Sequence, residues 1–222
     1  EINDIDTIQA LWILRRLRDE GIDVDGNVIE HRPKYFLGAI ASPYTSIPRY
    51  EAVVTEKKIN AGAQFLQTLP VFHMSRFVDW LEALDKRNLL DKVYLMATVT
   101  PIQRARHARF MANHMPGVYI PGSIMKRIEN ATNAQEEGVQ IALEFIAQLS
   151  KIKSIHGLHI LAPHQEEIVP RLVRVSGINT LTLQSRNGKA SVSTNGKNKH
   201  HNDHKGYIIP SPDLHQHKRG NI

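Results

Sequence analysis

The feature that most constrains the fold is a repeated alternation of a short buried strand, a loop and an amphipathic helix. It is clearest over residues 61–84, where an apolar run ends at Pro70 and the apolar side chains of the following helix share one face. The alternation recurs along the chain and predicts parallel β/α units, because parallel strands need a crossover connection. In such units the loops that follow the strands carry the chemistry.

Four segments have the length and apolar character of buried strands: residues 35–41, 64–69, 92–99 and 157–161. Helices are predicted at 7–20, 48–60, 75–86, 100–114, near 121, at 133–150 and at 166–175, the last interrupted or bent at Pro170. Asp6 with Gln9, and Thr100 with Gln103, have capping-box spacing. Since a closed barrel has eight strands, two architectures fit: an open four-stranded α/β sheet, or the C-terminal part of a barrel.

Charge divides the chain into two parts. Seven basic and two acidic residues lie from Leu183 onward, so this tail carries +5 of the net charge of +6. Residues 183–222 are rich in Asn, Gly, Ser, Lys and His and poor in apolar residues, which predicts disorder. Residues 1–182 are predicted to form the folded domain. Their near-neutral charge argues against a nucleic-acid-binding groove.

Composition excludes several classes of protein. The chain has no cysteine, so disulfides and thiolate metal sites are excluded. His156 and His159 have no carboxylate at metal-ligand spacing, and no metal site is predicted. No apolar run has membrane-spanning length and the first residues are acidic, so no membrane association and a cytoplasmic location are expected.

Several segments, spread over most of residues 4–178, carry informative motifs: DIDTIQALWILRRL, FLGAIASPY, EKKINAGAQFLQTLPVF, TVTPIQRARHARFMANHMPGVYIPGSIMKRIENA, and EEGVQIALEFIAQL followed by GLHILAP. In this order they resemble the methylenetetrahydrofolate reductase family of flavin-dependent (β/α)8 barrels. The strand entry at 58–68 and the Pro-Gly-Val-x-Ile-Pro turn at 116–121 are the most specific. The resemblance implies a parallel (β/α) barrel of TIM type that lacks its N-terminal strands here, followed by the disordered tail.

The resemblance also implies an activity, the reduction of 5,10-methylenetetrahydrofolate to 5-methyltetrahydrofolate in one-carbon metabolism. Its cofactor would be FAD, with FMN as the alternative, and its reductant NADH or NADPH. The family's general-acid Glu belongs to early strands that this sequence does not contain. The catalytic residue is therefore unknown, and the isolated chain is expected to be an incomplete catalyst.

Five positions match flavin-binding positions of the family. Lys58, with Lys57 beside it, falls where the family places a basic side chain near the flavin diphosphate, and Glu51 matches an acidic position that binds the adenosine part. Ala41 and Ser42 match a turn that lies against the flavin. From the residues alone, Lys57 and Lys58 are more typical of a solvated helix end.

The positions that resemble a folate site include departures from the family. Phe110 matches an aromatic that stacks on the folate or nicotinamide ring, although its helical spacing alone predicts core packing. Leu69 stands where the family has a folate-contacting Gln, and Gln67 lies two residues earlier on the same side of the strand. Arg106 replaces another such Gln. With Arg104 and Arg109 it forms a basic stripe suited either to folate glutamates or to solvent.

Two other functions fit these departures. One is a non-catalytic or partner-dependent subunit of the same fold, acting as a homo-oligomer or with another chain that supplies the absent strands. The other is a different folate- or corrinoid-linked methyl-transfer barrel.

Overall fold

The computed structural model describes residues 5–44 and 47–178. In chain order its elements are α1 (Thr7–Asp19), β1 (Gly38–Ala41), α2 (Pro48–Ala61), β2 (Phe65–Pro70), α3 (Met74–Asp85), a 3-10 turn (Leu90–Lys92), β3 (Tyr94–Val99), α4 (Ala105–His114), α5 (Gly122–Asn130), α6 (Ala134–Leu149), β4 (Gly157–Ile160), a 3-10 turn (Glu166–Ile168) and α7 (Val169–Ser176). The predicted boundary after residue 182 and the predicted disordered tail, residues 183–222, lie outside the described residues.

The four strands form one parallel sheet in the order β1-β2-β3-β4. The predicted α/β class and all four predicted strands are confirmed. Each strand pairs with its neighbour in the chain, as consecutive strands of a barrel also do. Within the described ranges β1 and β4 are the two edges of the sheet.

The two faces of this sheet differ in burial. The side that we call the closed face carries Leu66, Leu95 and Ala97, all fully buried beneath the helices. The other side, the open face, carries residues that the strand register brings level with one another. Phe65 on β2 pairs with Tyr94 on β3, and both are only half-buried. Ile40 on β1 is 58% exposed.

The closed face is covered by amphipathic helices whose apolar sides the sequence predicts. On α3, Phe77, Trp80 and Leu84 are fully buried, as their helical spacing requires. At α1 the predicted capping box is present, because Asp6 accepts from the backbone N–H of Gln9 and the Gln9 side chain accepts from that of Asp6. The apolar periodicity of α3 and the capping box of α1 are therefore both present as the sequence predicts.

The predicted start of α4 at Thr100 is wrong, because the helix begins at Ala105 and Thr100 caps nothing. The stretch between them is held extended by contacts from distant parts of the chain. The Ile102 carbonyl lies against α6, where a Cβ added at Gly138 would be only 1.8 Å from its oxygen. The Gln165 side chain donates to the Pro101 carbonyl at 2.9 Å. Tertiary packing therefore overrides the local capping signal.

Candidate functional site

A cavity of about 560 Å³ runs along the β1 edge of the sheet. Its lining residues are Thr7, Gly38, Ala39, Ile40, Ser42, Glu51, Lys58, Phe65 and Gln67. Four of these, Ser42, Glu51, Lys58 and Gln67, are residues that the sequence resemblance assigns to the cofactor or substrate site. We call this cavity the β1-edge pocket.

Glu51 and Lys58 enter the pocket from the same side of α2, since seven residues span almost two helical turns. The Ser42 backbone N–H donates to Glu51 Oε1 at 3.2 Å, and Lys58 Nζ donates to the Ile40 carbonyl at 2.8 Å. Both side chains are therefore hydrogen-bonded to the backbone at the C-terminal end of β1. Burial raises the pKa of Glu51, and the hydrogen bond from Ser42 and the charge of Lys58 oppose this shift.

Lys57, the other predicted flavin contact on α2, is exposed and does not line the pocket. The structure thus places Lys58, and not the adjacent Lys57, in the pocket. The Ala41 side chain is fully buried on the closed face. At Ala41 a ligand on the open side therefore has access to the backbone rather than to the methyl group.

The turn at Gly117 brings Ser42 and Leu69 together. Gly117 has a φ of +83°, and a Cβ there would lie 2.5 Å from Ser42 Oγ and 2.7 Å from Leu69 Cδ1. Only glycine combines this conformation with so close an approach. Ser42 Oγ is buried and has no hydrogen-bond partner among the described residues. It is a polar atom with unused hydrogen-bonding capacity in the wall of the pocket.

An aromatic cluster that the sequence analysis missed joins the loops after β1 and β2. The buried Tyr44 hydroxyl accepts from the backbone N–H groups of Phe72 at 3.2 Å and His73 at 3.4 Å. The Tyr119 ring lies 5.5 Å from the His73 ring, and the Arg76 guanidinium stacks on it at 4.5 Å. The one available signal was Tyr44 in the loop directly after a predicted strand.

The other predicted folate contacts, Arg106 and Phe110, line a separate cavity of about 360 Å³ beside the ends of β3 and β4. We call it the basic pocket. Its lining residues are Gln103, Arg104, Arg106, His107, Phe110, Pro163 and His164. Burial, reinforced by the charge of Arg104, lowers the pKa of His107, so its surroundings favour the neutral imidazole.

The prediction that Phe110 packs in the core is wrong, because its side chain is 56% exposed and its ring stacks on His114 at 4.9 Å. Only Ala108 and Met111 of α4 are fully buried, since this short helix presents a narrow apolar face to the core. An exposed ring beside a cavity is suited to stacking on a flat ligand. The substrate-binding role of Phe110 stays a prediction.

Metal-binding clusters and membrane-spanning helices are both absent from residues 5–44 and 47–178. These residues contain no group of three or more His, Asp or Glu side chains placed to hold a metal ion. None of their helices combines the length and the apolar character that crossing a bilayer requires.

Comparison with known families gives one match. The family model described as Methylenetetrahydrofolate reductase matches residues 41–177, which extend from the last residue of β1 to the end of α7. The matched range contains every predicted site residue. No curated protein matches the sequence significantly.

Among solved structures, the chain is similar to an uncharacterized protein from Clostridium thermocellum that binds two copies of 5-methyl-5,6,7,8-tetrahydrofolic acid. The two align with a TM-score of 0.54 and 21% sequence identity, over 66% of this chain and 54% of that one. The present chain therefore spans about half the length of that protein. At this identity the similarity shows a shared fold.

Proposed function

Because the chain belongs to the methylenetetrahydrofolate reductase family, we propose that it carries cofactor- and folate-binding parts of a flavin-dependent reductase. The proposed reaction is the reduction of 5,10-methylenetetrahydrofolate to 5-methyltetrahydrofolate. The observation that carries the proposal is the convergence of Ser42, Glu51 and Lys58 in one pocket within the matched range. The Clostridium thermocellum protein that binds 5-methyltetrahydrofolate supports the folate part.

The side chains of the β1-edge pocket fit the polar end of a flavin nucleotide. The Lys58 ammonium can exchange its bond to the Ile40 carbonyl for a diphosphate oxygen, a stronger acceptor because it is charged. Glu51 can accept from ribose hydroxyls, and Ser42 Oγ has an unused hydrogen-bonding capacity. Gly117 keeps the space above Ser42 and Leu69 free of a side chain.

The bound flavin would supply hydride chemistry, taking a hydride from NADH or NADPH for delivery to the folate. The residues of this chain would bind the flavin and the folate and orient their rings. Lys58 and Glu51 fix the nucleotide end beside β1, the open face offers apolar surface to a flat ring, and Phe110 offers its exposed ring to the folate. No proton-transfer step is assigned to any residue of this chain.

A second candidate is a reduced-folate-binding subunit without reductase activity. Leu69 favours it, because a leucine replaces the family's folate-contacting Gln and its Cδ1 lies directly under Gly117. At this position the chain offers an apolar contact in place of an amide hydrogen bond. Gln67 lies in the β1-edge pocket and supplies an amide two residues earlier.

The adjacent lysines provide a matched test of the cofactor site. The full chain is titrated with FAD and with FMN, and quenching of flavin fluorescence is followed for the wild type, Lys58→Met and Lys57→Met. Lys58 is the one cation that lines the β1-edge pocket in the described part of the chain, so we expect modest affinity. Lys58→Met should weaken binding about tenfold, the loss of one charge-assisted contact, and Lys57→Met should leave it unchanged.

Each outcome discriminates between the candidates. Equal loss in both lysine variants would show only general attraction of an anion to a basic helix end, and would contradict the proposed site. Binding of 5-methyltetrahydrofolate without any binding of FAD or FMN would favour the folate-binding subunit. Absence of both flavin and folate binding would overturn both candidates.

A further inference from the structure

Two histidines at β4 have no part in the proposed function. His159 lies on the open face of the sheet, because its neighbours Leu158 and Ile160 pack against the core on the other side. The strand register places it beside Thr98 of β3, and its side chain is half-buried. His156 stands directly before the strand. The hydrogen bonds of these two imidazoles differ, and the difference has a chemical consequence.

The bonds around His159 originate in an irregularity of the sheet. Between Gln67 and Pro70 the register of β2 on β3 shifts, and threonine side chains there take over bonds of the backbone ladder. The Thr98 backbone N–H donates to Thr68 Oγ1 at 3.0 Å, and the Thr98 hydroxyl donates to the Thr68 carbonyl at 2.5 Å. The oxygen of the same hydroxyl lies 3.2 Å from His159 Nδ1. Thr98 thus connects the irregular part of β2 to β4.

These bonds determine which nitrogen of His159 carries the proton. A backbone carbonyl can only accept, so the single hydroxyl proton of Thr98 is committed to Thr68. The Thr98 oxygen is then an acceptor toward the imidazole, and His159 Nδ1 must be the donor. In the neutral ring the proton is therefore on Nδ1, and Nε2 has a lone pair. Within the described part of the chain nothing bonds this Nε2.

His156 shows the opposite arrangement. The Leu95 backbone N–H donates to His156 Nδ1 at 3.2 Å, and the imidazole meets the Tyr94 ring edge-on at 5.1 Å. Because this Nδ1 accepts, the proton of the neutral ring is on Nε2. Two histidines three positions apart therefore have different tautomers. Of the two, it is His159 that offers an acceptor at Nε2.

We propose that His159 Nε2 is the acceptor for a ring lactam N–H of a planar heterocycle that binds on the open face. The inference rests on the proposed function, because an isoalloxazine and a pterin each carry an N–H next to a ring carbonyl. Gln67 lies two residues before the level of His159, about 7 Å along the strands, and two strand spacings away, about 10 Å. Its amide can donate to a carbonyl of the same ring while His159 accepts from the N–H.

The tautomer makes this site selective. A half-buried acceptor that is built to bond a donor discriminates against a ligand without that donor, because the acceptor is then left unpaired. A ring that carries a methyl group on the lactam nitrogen has no N–H to offer. The Nδ1–H form of His159 depends on the Thr98 oxygen, so Thr98 acts through His159 and is a positioning residue.

Nuclear magnetic resonance tests the tautomer without a ligand. Long-range proton–nitrogen correlation of the nitrogen-15-labelled full chain, at about pH 8.5 where ordinary histidines are neutral, distinguishes protonated from unprotonated ring nitrogens. His159, assigned by the signals lost in His159→Leu, should be protonated on Nδ1, and His156 on Nε2. Thr98→Val keeps the shape of the side chain and should shift the His159 proton to Nε2. A wild-type His159 protonated on Nε2, or a tautomer unchanged in Thr98→Val, would overturn the proposal.

Two pairs of ligands that differ by one methyl group test the acceptor role. Fluorescence titration of the full chain compares FMN with 3-methyl-FMN, and 6-hydroxymethylpterin with its 3-methyl derivative. In at least one pair the parent ring should bind about tenfold or more tightly than the methylated ring. His159→Leu should abolish this preference, and His159→Gln, whose amide oxygen reaches the position of Nε2, should retain part of it. His156→Asn, which keeps an acceptor for the Leu95 N–H, should leave the preference unchanged.

The outcomes separate this proposal from the proposed function. If parent and methylated rings bind equally in both pairs, the acceptor role fails while the flavin- and folate-binding function stands. If the pterin pair is discriminated and neither flavin binds, the acceptor role stands for a folate and the flavin function fails. A preference for the parent ring that survives in His159→Leu would assign the N–H to another acceptor and overturn the proposal. Binding of no ring from either pair would overturn both.

Discussion

The closed and open faces of the sheet differ in how far their apolar side chains are buried. On the closed face Leu66, Leu95 and Ala97 are fully buried against helices. On the open face Ile40 is 58% exposed and Phe36 is 39% exposed, although both are large and apolar. Alternate residues of the same strands thus have opposite environments, since side chains point to opposite faces with a period of two.

This difference indicates where substitutions should affect folding and where they should affect binding. The predicted site residue Gln67 and the apolar rings of Phe65 and Tyr94 lie on the open face or its edge. Exposed apolar surface of this kind is typical of interaction surfaces. The closed face has no comparable exposed apolar surface among the described residues, so its side chains contribute mainly packing energy.

The largest expected effect compares two side chains of equal size on the two faces. Leu95→Ala removes a fully buried side chain and should lower the free energy of unfolding by about 2–5 kcal/mol. Ile40→Ala should lower it by under about 1 kcal/mol, because most of this side chain already contacts solvent. Urea unfolding followed by tryptophan fluorescence measures both. A cost at Ile40 equal to that at Leu95 would show that the open face is covered in solution.

A second, smaller effect tests how tightly the open face is packed. A Cβ at Gly38 would lie 2.1 Å from Phe65 Cζ, and the Phe65 ring is stacked on Phe36 at 5.3 Å. Gly38→Ala should therefore destabilise the fold by about 1–3 kcal/mol, the usual cost of overpacking. Adding Phe65→Leu should restore part of the loss. A Gly38→Ala variant as stable as the wild type would mean that the ring swings freely into solvent.

The smallest expected effect is a pH dependence of stability caused by Glu51 in the β1-edge pocket. Burial raises the pKa of Glu51, so the fold favours the protonated carboxyl. Its stabilising contribution is complete below the pKa of the unfolded chain and disappears as the pH rises through the folded-state value. Glu51→Gln should therefore gain stability relative to the wild type between pH 4 and pH 7. Urea midpoints of both proteins at the two pH values measure this, and a relative loss at pH 7 would contradict the assignment.

Local sequence signals predicted most of the framework. Short apolar runs bounded by Pro or polar residues gave all four strands, and Asp6 with Gln9 gave the start of α1. The same kind of signal failed at Thr100, because the packing of Ile102 against Gly138 holds the chain extended there. A capping box contributes about 1 kcal/mol, too little to compete with burial of a core segment.

The candidate site was predictable in its residues but not in their arrangement. The resemblance favoured Lys58, but helical periodicity alone does not tell which of the two adjacent lysines faces a ligand, since the direction of each depends on how α2 packs on β1. The contact of Gly117 with Ser42 joins segments far apart in the chain, as does the bond from Gln165 to Pro101. Helical periodicity assigned Phe110 to the core because it does not report how much of a short helix is covered.

The sequential order of the strands has a consequence for how the chain acquires its structure. The sequence separation of bonded partners grows along the sheet: it is 27 for Leu37 and Gln64, 30 for Thr68 and Thr98, and 61 for Thr98 and His159. Short separations lower the entropy lost when each pairing closes. The sheet is therefore expected to assemble progressively from the β1–β2 and β2–β3 units, with β4 joining last. Hydrogen-exchange labelling during refolding should show late protection at β4.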